Sequence, residues 1–149
     1  MKKIIALLLA AAAFASCGIL APTPPLYYWG GETNGTTAYE ELAYRDFKTQ
    51  TPEDICRLVF LYENMVSHPS GTRQVPPPGI CAEYGYLLLQ PTTATYFTEK
   101  ATAQQKKIFE GSDYGSLFTE RGKELLQMEL ELYPESRQFI EPLIKKLAP

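Results

Sequence analysis

The chain has 149 residues, a formal net charge of −3, one histidine, one tryptophan and three cysteines. That length suits one domain around one core, at about 100–200 residues per domain. The acidic balance excludes a nucleic-acid binder, which needs a basic stripe, and adsorption to anionic lipid by charge alone.

The first seventeen residues read as an export signal. Lys2 and Lys3 form a positive start, Ile4 to Ala15 an unbroken apolar run, and Ala15-Ser16-Cys17 a small-residue cleavage site. The run is too short for a bilayer span, which takes about 20 apolar residues, so 1–16 is expected to be a cleaved signal peptide. A cysteine directly after Ala-Ser is similar to the bacterial lipobox, which makes Cys17 the expected lipidation site; the plain alternative is a secretory signal cut near Ala15 or Ser16. Membrane contact then comes from acyl chains on Cys17, each buried methylene contributing about 0.8 kcal/mol. Gly18 lacks the aspartate that often retains lipoproteins in the inner membrane, so the expectation is the outer membrane, facing the periplasm.

Residues 17–36 read as a tether and aromatic turn segment. Gly18 to Pro25 is proline-rich and favours an extended polyproline II path of about 3.1 Å per residue. Tyr27-Tyr28-Trp29 follows, then Gly30-Gly31 and the turn-rich Thr33-Asn34-Gly35-Thr36. From Thr37 on the pattern is helical. Thr37 with Glu40 reads as a capping box before a helix over 38–48. Thr51-Pro52-Glu53-Asp54 opens a second over 52–67, with Ile55, Leu58, Val59, Tyr62, Met65 and Val66 on its apolar face. His68-Pro69-Ser70-Gly71 breaks it, and a third helix is expected over 78–90, with Ile80, Cys81, Tyr84, Leu87 and Leu88 inward. Residues 91–116 are polar and weakly amphipathic, with one helix expected over 97–110. Helices over 117–133 and 136–147 complete the chain, the last carrying Pro142, where a kink is expected. No segment reads as a strand, so the expected class is all-α. Antiparallel packing of the second and third helices offsets Cys56 and Cys81 by roughly 10 Å along the axis, beyond the reach of about 7 Å for a disulfide. Two buried free thiols are therefore favoured over a bridge.

Helices 78–90 and 117–133 can be laid on the tetratricopeptide pattern. Tyr84-Gly85 takes the Leu-Gly place, Leu88 the aromatic place, and Gly122, Leu126 and Pro134 the small, large and closing-proline places, with 91–116 inserted in the turn. At such a small position alanine should be tolerated in place of Gly122, and leucine should overpack. Leu26-Tyr27-Tyr28-Trp29-Gly30, Val75-Pro76-Pro77-Pro78-Gly79, the Ala82 to Leu89 helix, and Leu130 to Ser136 with Phe139 together resemble the domain of unknown function 4810 family of small bacterial lipoproteins. The resemblance implies a helical, tetratricopeptide-like domain over 37–149 in the setting of a curli-secretion-type pore lipoprotein and of other envelope lipoproteins as partners. It implies no activity.

Catalytic chemistry is not legible. The only histidine, His68, stands in a Ser-His-Pro-Ser loop, without a Gly-x-Ser-x-Gly elbow or the cysteine cluster of a structural zinc site. Glu63, Glu83 and Glu129 could be paired for glycan cleavage, but interhelical salt bridges or solvated faces are the simpler reading. The expectation is a non-enzymatic assembly or protein-interaction module without cofactor or metal; the alternative is a binder of glycan or peptidoglycan fragments. Tyr27, Tyr28 and Trp29 are the candidate interaction residues, since tyrosine and tryptophan dominate interface hot spots; the competing readings are core packing and contact with the lipid headgroup layer. A deep aromatic-and-carboxylate pocket would favour a ligand, a shallow apolar groove a protein.

Overall fold

The computed structural model describes residues 23–45 and 51–147. Cys17, the signal and the tether before Thr23 lie outside the described residues, as do residues 46–48 of the helix expected over 38–48. The described chain is all-α apart from one two-residue hairpin. In chain order the elements are β1 (Glu32–Thr33), β2 (Thr36–Thr37), α1 (Ala38–Arg45), α2 (Pro52–Ser67), α3 (Ile80–Leu88), α4 (Thr93–Lys100), α5 (Ala103–Lys106), α6 (Tyr114–Leu132) and α7 (Arg137–Leu147), with a 3-10 turn at Pro134–Ser136 between the last two. Among the described residues no helix is long and apolar enough to cross a membrane.

The hairpin corrects the expectation of no strand. Asn34 and Gly35 both have positive φ, 55° and 79°, the conformation that tight hairpin turns demand and that Asn-Gly supplies most readily. It pairs Glu32 with Thr37 and Thr33 with Thr36. Thr37 then caps α1 through the expected box: its N–H donates to Glu40 Oε2 at 2.9 Å, and the Glu40 N–H donates to Thr37 Oγ1 at 3.1 Å. Thr51 and Asp54 cap α2 in the same way.

α3 and α6 are the most closely packed pair, with α2 against α3 and α4, α1 on α2, and α7 on α6. The crossing of α3 and α6 is a glycine on a glycine. A Cβ at Gly85 would lie 2.9 Å from the Gly122 carbonyl oxygen, and one at Gly122 2.7 Å from Leu89 Cγ and 3.1 Å from the Gly85 carbonyl oxygen. Alanine at Gly122 therefore fits only where Leu89, half-buried at the end of α3, moves aside. Leu88 and Leu126 are buried, and Pro134 starts the 3-10 turn on the surface.

The stretch 91–116 departs most from its expected form. Instead of one helix over 97–110 there are two, because Ala101 is extended (ψ 136°) and Thr102 starts a new capping box with Gln105. Its aromatics are central to the core. Phe97, fully buried, meets Phe109, Tyr114 and Phe118 edge-on at ring-centroid distances of 5.4, 5.0 and 5.2 Å, the preferred arrangement of aromatic quadrupoles. α6 accordingly begins at Tyr114, capped by Asp113, a turn earlier than its leucines suggest. Pro142 stands on the exposed side of α7, which continues past it to Leu147.

Candidate functional site

The aromatic segment is bound to the body through its backbone. The Thr72 and Arg73 N–H groups donate to the carbonyls of Pro25 and Leu26 at 3.0 and 3.1 Å, and the Ala38 and Tyr39 N–H groups donate to those of Gly31 and Trp29 at 2.9 and 3.2 Å. This brings Trp29 over Tyr39, ring centroids 5.1 Å apart, at the head of a run that continues to Tyr62 (6.3 Å) and Tyr84 (5.6 Å). Tyr28 and Trp29 are half-buried and pack on the core. Tyr27, also half-buried, lies beside Tyr133, whose hydroxyl donates to the Pro76 carbonyl. Burial together with Tyr27 pushes the Tyr133 phenol up.

Three carboxylates hold this arrangement. Glu83 accepts from the Tyr39 hydroxyl on both oxygens at 3.0 Å and from the Tyr62 hydroxyl at 3.0 Å, tying α1, α2 and α3 together. Glu63 accepts from the Tyr84 hydroxyl at 2.9 Å, from Arg121 Nη2 at 2.9 Å and Nε at 3.3 Å, and from Ser67. Burial opposes the Arg121 charge, but the hydrogen bonds and charge of Glu63 outweigh it and hold the guanidinium above its ordinary value. Burial, with the neighbouring carboxylates, raises the Tyr62 and Tyr84 phenols well above theirs. Glu129 is 2% exposed. It accepts the Gly79 N–H at 2.9 Å and the Ala82 N–H at 3.3 Å, supplying from α6 the cap that Gly79 has no side chain to provide. Desolvation raises its carboxyl, and the backbone donors of Gly79, Ala82 and Cys81 offset this only in part. The expectation of salt bridges or solvated faces thus holds for Glu63, which pairs with Arg121, and for Glu83, which is exposed while bonded to two tyrosines, but not for Glu129, which is buried and bonded to backbone. All three are engaged in holding helices rather than facing one cleft. Cys56 and Cys81 are buried free thiols, and burial pushes Cys81 up to about 12.

Beside the aromatic segment runs an open groove of about 520 Å³. Along one side it is lined by Arg57, Phe60, Leu61 and Asn64 of α2 with His68 at the helix end, and around them by Tyr28, Gly30, Leu42, Ser70 and Gln105. Of the three candidate interaction residues only Tyr28 reaches it; Trp29 lies behind, on Tyr39. Sequence reasoning assigned no role to Arg57, Phe60, Asn64 or Gln105. The legible signal for Arg57, Phe60 and Asn64 was their spacing along α2 on a flank distinct from the Leu58–Val59–Tyr62 face, with polar residues among apolar ones; Gln105, on α5, gave none. His68 is exposed, as its loop position suggests. Tyr84, Gly85, Leu88, Gly122 and Leu126 lie instead within the helix packing. No family model, no curated protein and no solved structure matches this chain.

Proposed function

We propose that this protein is lipid-anchored at the outer membrane, facing the periplasm, through acyl chains on Cys17, and that its helical domain is a non-enzymatic assembly or protein-interaction module. On the resemblance described above, its setting is that of an accessory to a curli-secretion-type pore lipoprotein. The observation that carries the reading is the groove on α2: shallow, with Phe60 and Leu61 set between Arg57, Asn64 and His68 and without a carboxylate in its lining among the described residues, it has the form of a surface for a partner chain rather than of a cleft for bond cleavage. The engagement of Glu63, Glu83 and Glu129 in packing supports the same reading.

Two experiments test it. Cys17→Ala should leave a soluble or uncleaved product in detergent partitioning, and a wild-type N-terminal peptide without diacylglycerol mass overturns the anchor. A photo-crosslinking residue placed at Phe60 or at the exposed Tyr86 in intact cells should give discrete adducts with envelope proteins. Absence of adducts from both positions overturns the module.

A further inference from the structure

We propose that the α2 groove takes a short extended peptide segment of a partner protein, its apolar side chains on Phe60, Leu61 and Leu42 and its carboxylate on Arg57. The inference rests on the module reading above and adds to it the chemistry of the occupant. Shape comes first. Arg57, Phe60, Leu61 and Asn64 share one flank of α2 at helical spacing and His68 is its C-cap, so together they line a flank about 16 Å long at 1.5 Å per residue. An extended chain of about five residues covers that length at about 3.3 Å each. Asn64, Gln105 and Ser70 along the same groove offer amide and hydroxyl groups to a peptide backbone.

Charge decides the kind of segment. The chain is acidic overall, at −3, yet among the described residues the ionisable lining of the groove is Arg57, His68 and the Tyr28 phenol, with no carboxylate. Arg57 is 61% exposed and gives Nη1 to Asp54 Oδ1 at 3.1 Å; a guanidinium has five N–H donors, so its fork can also serve a ligand carboxylate. A second concavity, of about 560 Å³ between α6 and α7, lacks this bias: Arg137 and Lys145 share its lining with Glu131 and Glu141, and Arg137 is paired with Glu141 at 2.8 Å.

The test uses the full-length chain in detergent and two blocked pentapeptides, one alternating phenylalanine with glutamate and one alternating phenylalanine with glutamine. The glutamate peptide should shift the amide resonances of Leu42, Asn64 and Gln105 and bind about tenfold more tightly than the glutamine peptide. Arg57→Gln should abolish that difference, while Arg137→Gln should leave it unchanged; Arg57 is exposed enough for its variant to keep the wild-type helical spectrum. Equal affinity for the two peptides overturns the proposal, as does binding that maps to the α6–α7 concavity or no shift in the groove at millimolar peptide. In cells, adducts from Tyr86 with none from Phe60 leave the module reading standing and remove the groove; adducts from neither remove the module itself.

Discussion

Gly85→Ala tests the α3–α6 crossing, the most extensive helix contact in the fold. In a free helix this exchange is favourable by about 1 kcal/mol. Here the new Cβ meets the Gly122 carbonyl oxygen at 2.9 Å and Leu126 at 3.1 Å (Cγ) and 3.2 Å (Cδ2). The first obstacle is backbone in the middle of α6, and the second is a side chain with no exposed surface, so neither can step aside alone. The helices must part by several tenths of an ångström along their whole contact. Overpacking against backbone that cannot rotate away falls in the upper part of the usual range, about 2–3 kcal/mol, which leaves a net loss of about 1–2 kcal/mol after the helix-propensity gain. Gly122→Ala should cost less, because its nearest obstacle, Leu89, is only half-buried at the end of α3 and can rotate outward. The double variant should cost less than the sum, since helices already parted by one methyl accommodate the second. Urea melts followed by far-ultraviolet circular dichroism measure all three. If Gly85→Ala is as stable as wild type or more so, the glycine-on-glycine crossing is wrong.

Three further outcomes follow from the carboxylates and the aromatic segment. Arg121→Met removes both guanidinium bonds to Glu63; because Arg121 is 26% exposed, the loss should be about 1–3 kcal/mol rather than the 3–5 of a fully buried pair, and adding Glu63→Gln should restore part of it. A loss below about 0.5 kcal/mol would show that solvent already screens the pair. Trp29, the only tryptophan, should emit at blue-shifted wavelength in the folded chain and move red together with the loss of helix in urea; solvent-like emission with the helix signal intact refutes its packing on Tyr39. The folded Glu129 carboxyl titrates above its ordinary 4.5, so between those two values the native state holds more protons than the unfolded one and stability falls as pH rises. The pH-independent Glu129→Gln variant should therefore gain on wild type from pH 4.5 to pH 7, and a stability gap that stays constant or shrinks over that interval would contradict the assignment.

Local chemistry made much of the fold legible in advance. The Thr37–Glu40 and Thr51–Asp54 boxes start α1 and α2 where their spacing predicts, because a cap satisfies backbone donors within four residues and needs nothing from the rest of the chain. The apolar face of α2 and the glycines at 85 and 122 were likewise readable, since burial at helical period and the need for a small residue are written in one segment at a time. The same holds for the two thiols, whose offset along paired helices follows from residue count alone. Asn34-Gly35 and Thr102-x-x-Gln105 carried equally local signals, and the hairpin and the break between α4 and α5 follow from them.

What required the tertiary structure is every feature whose partners are distant in sequence. Phe97, Phe109, Tyr114 and Phe118 look like scattered aromatics in a polar stretch, because they share no single helix face and become a cluster only when α4 lies against α6. Glu129 reads as one more surface acid of α6 until α3 arrives with an uncapped first turn at Gly79. The groove is decided in the same way. Arg57, Phe60 and Asn64 lie on one flank of α2 by helical geometry alone, but the lining from Tyr28, Leu42 and Gln105 exists only after three other segments have packed beside it. By itself the sequence determined the helical class, the caps and the positions where only glycine allows close approach, since these depend on neighbours a turn away. Which buried carboxylate meets which tyrosine, arginine or amide, and where the surface stays open, depended on the packing of whole helices, because only that sets the distances over which those groups act.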